Sequence, residues 1–173
     1  MIIEINVIKA IGELIKESNW PISLSLIGPH YPPELKKVHK IVASFEIGYN
    51  WFLYEGEKNY EELYSTYQNS DIGIFASSCE NMPNILLEMM ASGLPIACSE
   101  LGPMPEILGK NGCYFNPYHP KSIKNVLRDL IMKDDLRLLL SKDAYKSSKN
   151  YDWGRCARQT FKFLKYVQKR HLM

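Results

Sequence analysis

Two carboxylates, Glu80 and Glu88, are separated by seven residues and flank a proline, Pro83. An apolar, β-rich run, Asp71 to Ala76, comes first, and the polar turn Ser77-Ser78-Cys79-Glu80-Asn81 follows it. Pro83 is placed at the first helical position, where its missing N–H costs nothing and its φ is preset. The helix runs to about Ser92 and stops at Gly93, a residue suited to a left-handed C-terminal cap. Glu88 then lies roughly 7.5 Å along the axis, at 1.5 Å per residue. The start of that helix offers free N–H groups and the positive end of its dipole, which suits a phosphate. One acid on each side of an anion site fits a ligand with hydroxyls on both sides of a diphosphate, as in a nucleotide sugar. Asn84, four residues before Glu88, shares its helix face. A competing reading needs no ligand. The chain has 13 Glu, a solvated helix face accounts for Glu88, and a helix cap accounts for the Glu80–Asn81 turn.

Leu94 to Cys98 is an apolar run of strand length, so the unit reads strand, turn, helix, strand. Such a crossover implies parallel strands and a right-handed connection. The run E-N-M-P-N-I-L-L-E-M-M-A-S-G-L-P-I-A-C-S from Glu80, followed by G-P-M-P-E-I-L, resembles a known signature. It is similar to the carboxyl-terminal motif of retaining glycosyltransferases of the GT-B fold, the "glycosyl transferases group 1" enzymes. The likeness is strongest over residues 77–108 and extends more weakly along nearly the whole chain. It implies that Glu80 contacts the donor sugar and acts in catalysis, and that Glu88 contacts the ribose. It implies that Asn81, Met82 and Asn84 hold the diphosphate in a turn, through main-chain N–H groups. Many members carry Gly-Phe after the first Glu. Here the pair is Asn81-Met82, so turn geometry and sugar choice are left open.

Elements that would position this motif can be read in order. Residues 2–18 fit a helix, with Ile3, Val7, Ala10, Ile11 and Leu14 at helical spacing; a strand over residues 2–7 is the alternative. Asn19-Trp20-Pro21 breaks it. Residues 22–27 alternate as a strand and exit at Gly28-Pro29. His30 stands at that exit as a loop residue without an assigned role. A helix from Pro33 to about Phe45 and a strand over residues 51–54 follow. The strand exits at Glu55-Gly56-Glu57-Lys58-Asn59. By resemblance, Glu57, Lys58 and Asn59 lie beside the nucleotide base; a plain strand–helix loop is the equal alternative. Residues 60–68 form a helix, residues 113–115 a last strand, and helices follow at about 120–133, 135–149 and 152–170. Trp153, Ala157, Phe161 and Leu164 on the last helix form a stripe expected in the core, with an exposed inter-domain face as the alternative.

Alternating β and α segments without repeats indicate an α/β fold, a Rossmann-like parallel sheet flanked by helices. In such sheets ligands sit beyond the carboxyl ends of the strands. Gly28, Gly56 to Asn59 and Ser77 to Asn81 all fall at strand exits, which places them on one rim. The 173 residues are expected to form one donor-binding domain, 1–173, with a helical segment over 119–173.

The opening residues are too punctuated by Glu4, Lys9, Glu13 and Lys16 for a signal peptide or a span. Cys79, Cys98, Cys113 and Cys156 lack C-x-x-C pairing and read as reduced thiols of a cytoplasmic protein, without a zinc site. Charge is segregated: residues 1–118 hold 7 Lys/Arg and 14 Asp/Glu, whereas residues 119–173 hold 14 and 5. Solvated terminal helices explain this; an anionic leaflet at the inner membrane face, or a lipid-linked acceptor, is the alternative. No basic run is interleaved with aromatics as nucleic acid would require.

The resemblance implies a UDP- or GDP-sugar donor, no cofactor and no obligatory metal. It also implies an amino-terminal half that these residues do not contain, and a first strand and Arg/Lys loop ahead of the opening helix. Lacking that strand, the sheet is expected to carry a gap in its middle. Two rival readings stand beside this: a nucleotide-sugar epimerase-like domain, and a non-catalytic partner subunit or split-gene remnant.

Overall fold

The computed structural model describes residues 2–29 and 31–171. His30 lies outside the described residues. The first helix is α1 (Ile2–Ser18), followed by β1 (Leu24–Ile27), α2 (Pro32–Ala43), β2 (Phe52–Gly56) and α3 (Tyr60–Gln68). Then come β3 (Gly73–Phe75), α4 (Asn84–Ser92), β4 (Ile96–Ser99), α5 (Met104–Leu108) and β5 (Cys113–Phe115). Three helices end the chain, α6 (Pro120–Met132), α7 (Asp134–Ser148) and α8 (Trp153–His171). Residues 2–7 are helical, so helical spacing prevails over the alternation of Ile3, Ile5 and Val7.

All ladders are parallel: β1 pairs with β2, β3 with β4, and β4 with β5. Helices cover both faces. On one side α1 packs against α6 and α2; on the other α4 packs against α7 and α3. The first layer buries Ile8, Leu14, Ile123 and Leu130; the second buries Leu86, Met90, Met104 and Leu108. β4 is buried along its whole length, which is why Ile96-Ala97-Cys98 reads as an unbroken apolar run. Asn6 on α1 is buried and donates through Nδ2 to the Pro117 carbonyl at 3.0 Å, tying α1 to the loop before α6.

The sheet is divided. β1–β2 and β3–β4–β5 are separate ladders, so β1 and β3 each end in an edge with no ladder partner among the described residues. Between them lies a cavity of about 1250 Å3, walled by α1, β1 and β3. This is the gap the sequence predicts.

Helix α8 corrects an expectation. Its stripe is not core: Trp153 is 86 % exposed, and Phe161 and Leu164 are more than half exposed. The buried core is drawn from α1 to α7 and the strands, and α8 contributes no residue to it. Its alternative, an uncovered apolar face, is what the structure holds.

Candidate functional site

The loops at the carboxyl ends of β1, β2 and β3 converge on one mouth. Gly28, Glu57, Lys58 and Glu80 all line the same cavity, together with Ser77, Ser78 and Cys79. Residues from all three strand exits thus border one cavity, although Gly56 is not among them. Asn59, Asn81, Met82, Asn84 and Glu88 lie outside the cavity lining.

Local chemistry fixes each part. Gly28 has φ 133° and Gly56 φ 71°, left-handed values that glycine adopts without a Cβ penalty. The Gly28 N–H donates to the Gly56 carbonyl at 2.8 Å, and its own carbonyl accepts from the Tyr54 hydroxyl at 2.7 Å. The first two exits are thus locked together, and the Gly28 peptide is committed on both sides.

The third exit leads into α4. Pro83 sits one residue earlier than predicted: it is the N-cap, with ψ 82°, and the helix begins at Asn84. The Asn84 N–H donates to the Met82 carbonyl at 2.9 Å, a tight turn that keeps Pro83 out of helical conformation. That amide is therefore spent. No side chain caps the helix, so its first turn and the amides of Asn81 and Met82 hold the available donors. Gly93 closes α4 with φ 77°, as its type suggests. Glu80 is half-buried in the turn, and Asn81 and Met82 are exposed.

Glu88 has a partner that sequence spacing does not reveal. The Tyr67 hydroxyl on α3 donates to Glu88 Oε2 at 3.4 Å. Burial first, and then the Glu88 charge, push the Tyr67 phenol well above its ordinary value. It stays protonated and can hold the carboxylate. The two residues stand 21 positions apart on different helices, and Tyr67 is the buried residue of α3.

Residues of the β2–α3 loop are engaged in structure. Asn59 is the N-cap of α3 in a reciprocal capping box: its side chain accepts from the Glu62 N–H at 2.9 Å, and Glu62 accepts from the Asn59 N–H at 3.0 Å. Lys58 pairs with Glu55 and donates to Thr66 Oγ1 at 2.7 Å. The Lys58 hydrogen bond, aided by Ser25, holds the Glu55 carboxyl below its ordinary range. Glu57 alone of the three has a side chain turned out to solvent without such a partner. All four cysteines are free thiols, Cys79 and Cys156 exposed and Cys98 buried. No described helix is long and apolar enough to cross a membrane.

Comparison with known proteins bears on this rim. A family model described as glycosyl transferases group 1 matches residues 5–147. A sulfoquinovosyl transferase of Arabidopsis thaliana is 30% identical over 106 residues, covering 58% of this chain and 21% of that protein. O-antigen chain mannosyltransferase B of Escherichia coli is 25% identical over 117 residues, covering 68% of this chain and 31% of that one. Among solved structures, HepE from Anabaena, described in complex with UDP and glucose, superimposes with a TM-score of 0.80. Its identity is 17%, over 92% of this chain and 44% of that one. The chain spans between about a fifth and a third of the first curated relatives it matches.

Proposed function

The chain belongs to the glycosyl transferases group 1 family, and from that premise we propose that it is the donor-binding half of a retaining GT-B glycosyltransferase. The reaction moves a sugar from a nucleotide diphosphate sugar to a hydroxyl acceptor. One observation carries the reading: Glu80 and Glu88 stand on either side of the start of α4, whose end no side chain caps.

The diphosphate accepts hydrogen bonds from the first turn of α4 and the amides of Asn81 and Met82. As the sugar departs, negative charge grows on the leaving phosphate, and fixed N–H dipoles stabilise it without reorganising. Glu80 accepts from the sugar hydroxyls and orients the ring. Glu88, held by Tyr67, accepts from the ribose hydroxyls. The base lies along Glu57 to Asn59, recognised by main-chain atoms and by Glu57, since Lys58 and Asn59 are committed elsewhere. Gly28, lacking a side chain, leaves the rim open. The family resemblance implies no obligatory metal; the helix start supplies part of the positive potential, and cationic residues of the whole enzyme supply the rest.

The rest of the reaction belongs to an amino-terminal half, and we assign the uncovered stripe of α8 to the contact with it. Alone, the 173 residues bind donor and do not turn it over. The setting is the cytoplasmic side of bacterial surface polysaccharide synthesis, in keeping with the O-antigen mannosyltransferase relative. Titration calorimetry of the purified chain with UDP, GDP, UDP-glucose and GDP-mannose tests this. Saturable binding to one base series, weakened by tenfold or more in Glu88→Ala, is the expected result. Binding unchanged in both Glu88→Ala and Glu80→Ala overturns the site, and sugar transfer by the isolated chain overturns its incompleteness.

A further inference from the structure

The excess positive charge of residues 119–173 is not spread evenly. Those cations that have acidic partners lie on α6, α7 and the joint between them. Lys124 and Arg128 pair with Glu13 and Glu17 of α1, Lys133 with Asp129, and Arg137 with Asp134. Helix α8 carries Arg155, Arg158, Lys162, Lys165, Lys169 and Arg170 and no acidic residue. No ion pair among the described residues involves it.

All but Arg170 fall on one face. Arg155, Arg158, Lys162, Lys165 and Lys169 follow one another at intervals of three, four, three and four residues. At about 100° and 1.5 Å per residue they form one straight ridge about 21 Å long. Every one of them is exposed. Arg155 reaches the neutral Asn150 side chain, Nη1 to Oδ1, at 3.4 Å. Like charges three and four residues apart destabilise a helix, and Arg155 also stands at the positive end of the helix dipole. Nothing in the described chain offsets this; an anionic surface outside it would.

The ridge lies roughly 140° around the axis from Trp153, Ala157 and Leu164, so the ridge and the apolar stripe meet different partners. Thr160 and Gln168 interrupt the apolar face. That suits contact with another protein domain, where polar residues are common, better than insertion among acyl chains. Insertion by the stripe would also lift the ridge from the headgroups by about 10 Å, the diameter of a helix and about one Debye length. Nucleic acid fits the ridge less well. Tyr166, beside Lys162 and Lys169, has the Arg170 guanidinium over its ring at 5.1 Å, so that face is closed to a stacked base. A straight row meets a flat plane of charge along its whole length, whereas the phosphates of a duplex follow a helical path.

We propose that Arg155, Arg158, Lys162, Lys165 and Lys169 dock α8 flat on the anionic phospholipid headgroups of a membrane surface. The apolar stripe is turned away from the bilayer and no segment inserts. The attraction is electrostatic and reversible. This inference does not depend on the donor site.

The test sediments the 173-residue chain with vesicles of phosphatidylcholine alone, or of phosphatidylcholine and phosphatidylglycerol at about three to one. Binding is expected to the anionic vesicles only, and it should fall away between about 0.05 M and about 0.5 M salt. Lys162→Ala with Lys165→Ala should weaken it about 25-fold, roughly fivefold for each charge, with unchanged helical circular dichroism. Lys142→Ala with Lys146→Ala takes the same charge from α7 and should bind as the parent chain does. Trp153 emission should not move to the blue. No binding to anionic vesicles at low salt overturns the proposal, and equal loss in the two double variants reduces the effect to net charge and overturns it as well. Binding to neutral vesicles, or a blue shift of Trp153, puts the apolar stripe in the bilayer instead. Binding to a random-sequence duplex RNA in preference to the anionic vesicles makes the ridge a nucleic-acid site; either result overturns the assignment to headgroups.

Discussion

Replacing Tyr67 with phenylalanine isolates the one contact that ties α3 to Glu88. The hydroxyl donates to Glu88 Oε2 at 3.4 Å, long for a bond of its kind, so at neutral pH its loss should cost no more than about 1 kcal/mol. The informative range is alkaline. Tyr67 is a buried phenol whose folded-state pKa is raised, first by burial and then by the Glu88 charge. A raised pKa contributes stability that is intact below the unfolded value, near 10. That stability is lost as pH rises, because the unfolded chain releases the proton first. The loss can reach about 1.4 kcal/mol per pH unit for one proton, less where water reaches the hydroxyl. Urea unfolding of parent and Tyr67→Phe from about pH 8 to about pH 11 reads it directly. Cys98 and Tyr114 are also pushed up by burial, but they are common to both proteins and cancel in the difference. The stability difference should be flat to about pH 9.5 and then turn against the parent chain. Curves that stay parallel throughout would refute the buried phenol and the Glu88 contact together. Glu88→Gln should leave a shallower alkaline loss, since the burial remains and only the charge is gone.

Lys124 of α6 pairs with Glu13 at 2.9 Å and Glu17 at 2.6 Å on α1, and this clasp predicts the opposite limb. Hydrogen bonding to Lys124 holds the Glu17 carboxyl below its ordinary range, so its contribution is present above the unfolded carboxylate pKa and lost as pH falls through the lowered folded value. Lys124→Met should flatten the acid side of the melting-temperature profile; an unchanged profile would show that the clasp is inert. Gly112→Ala places a Cβ 2.4 Å from Leu108 Cδ2 and 3.0 Å from the Ile96 carbonyl. Because backbone cannot yield there, chemical denaturation should show a loss of roughly 1–3 kcal/mol. Thiol labelling should find Cys79 and Cys156 fast and Cys98 slow, since burial pushes the Cys98 thiol up to about 12. Bound nucleotide sugar should slow Cys79 and leave Cys156 unchanged; equal protection of both would move the donor away from the β3–α4 turn.

Much of the fold was legible because local rules and tertiary demands agree. β4 is apolar over Ile96-Ala97-Cys98 and proves central between β3 and β5; Gly93 follows α4 and proves left-handed. The β3–α4–β4 unit could be read from Asp71 to Cys98 for that reason. Where two local rules compete, spacing alone misplaces a residue. Pro83 suits both the N-cap and the first helical position, and the Met82–Asn84 turn decides between them. Asn59 carries a capping-box signature with Glu62, three residues on, which outweighs its place on the rim as a guide to its side chain. The Tyr67–Glu88 contact had no local signature, because it depends on how α3 packs against α4.

Helix α8 shows where pattern reading stops. Trp153, Phe161 and Leu164 recur at helical spacing, and that periodicity establishes an apolar face without saying what covers it. The same stripe suits a core helix or a docking face, and only the exposure of the folded helix separates them. Exposure then sets a magnitude. A residue already 63 % exposed, as Phe161 is, loses little on becoming charged, so Phe161→Glu should shift the stability of this chain by no more than about 0.5 kcal/mol. A buried phenylalanine would cost several times more, about 3–5 kcal/mol even for alanine. Thermal and urea unfolding distinguish these outcomes. A loss above about 2 kcal/mol would mean that α8 folds back onto the body. A negligible loss, joined to failure of association with an amino-terminal half supplied in trans, would identify the stripe as the face that half covers.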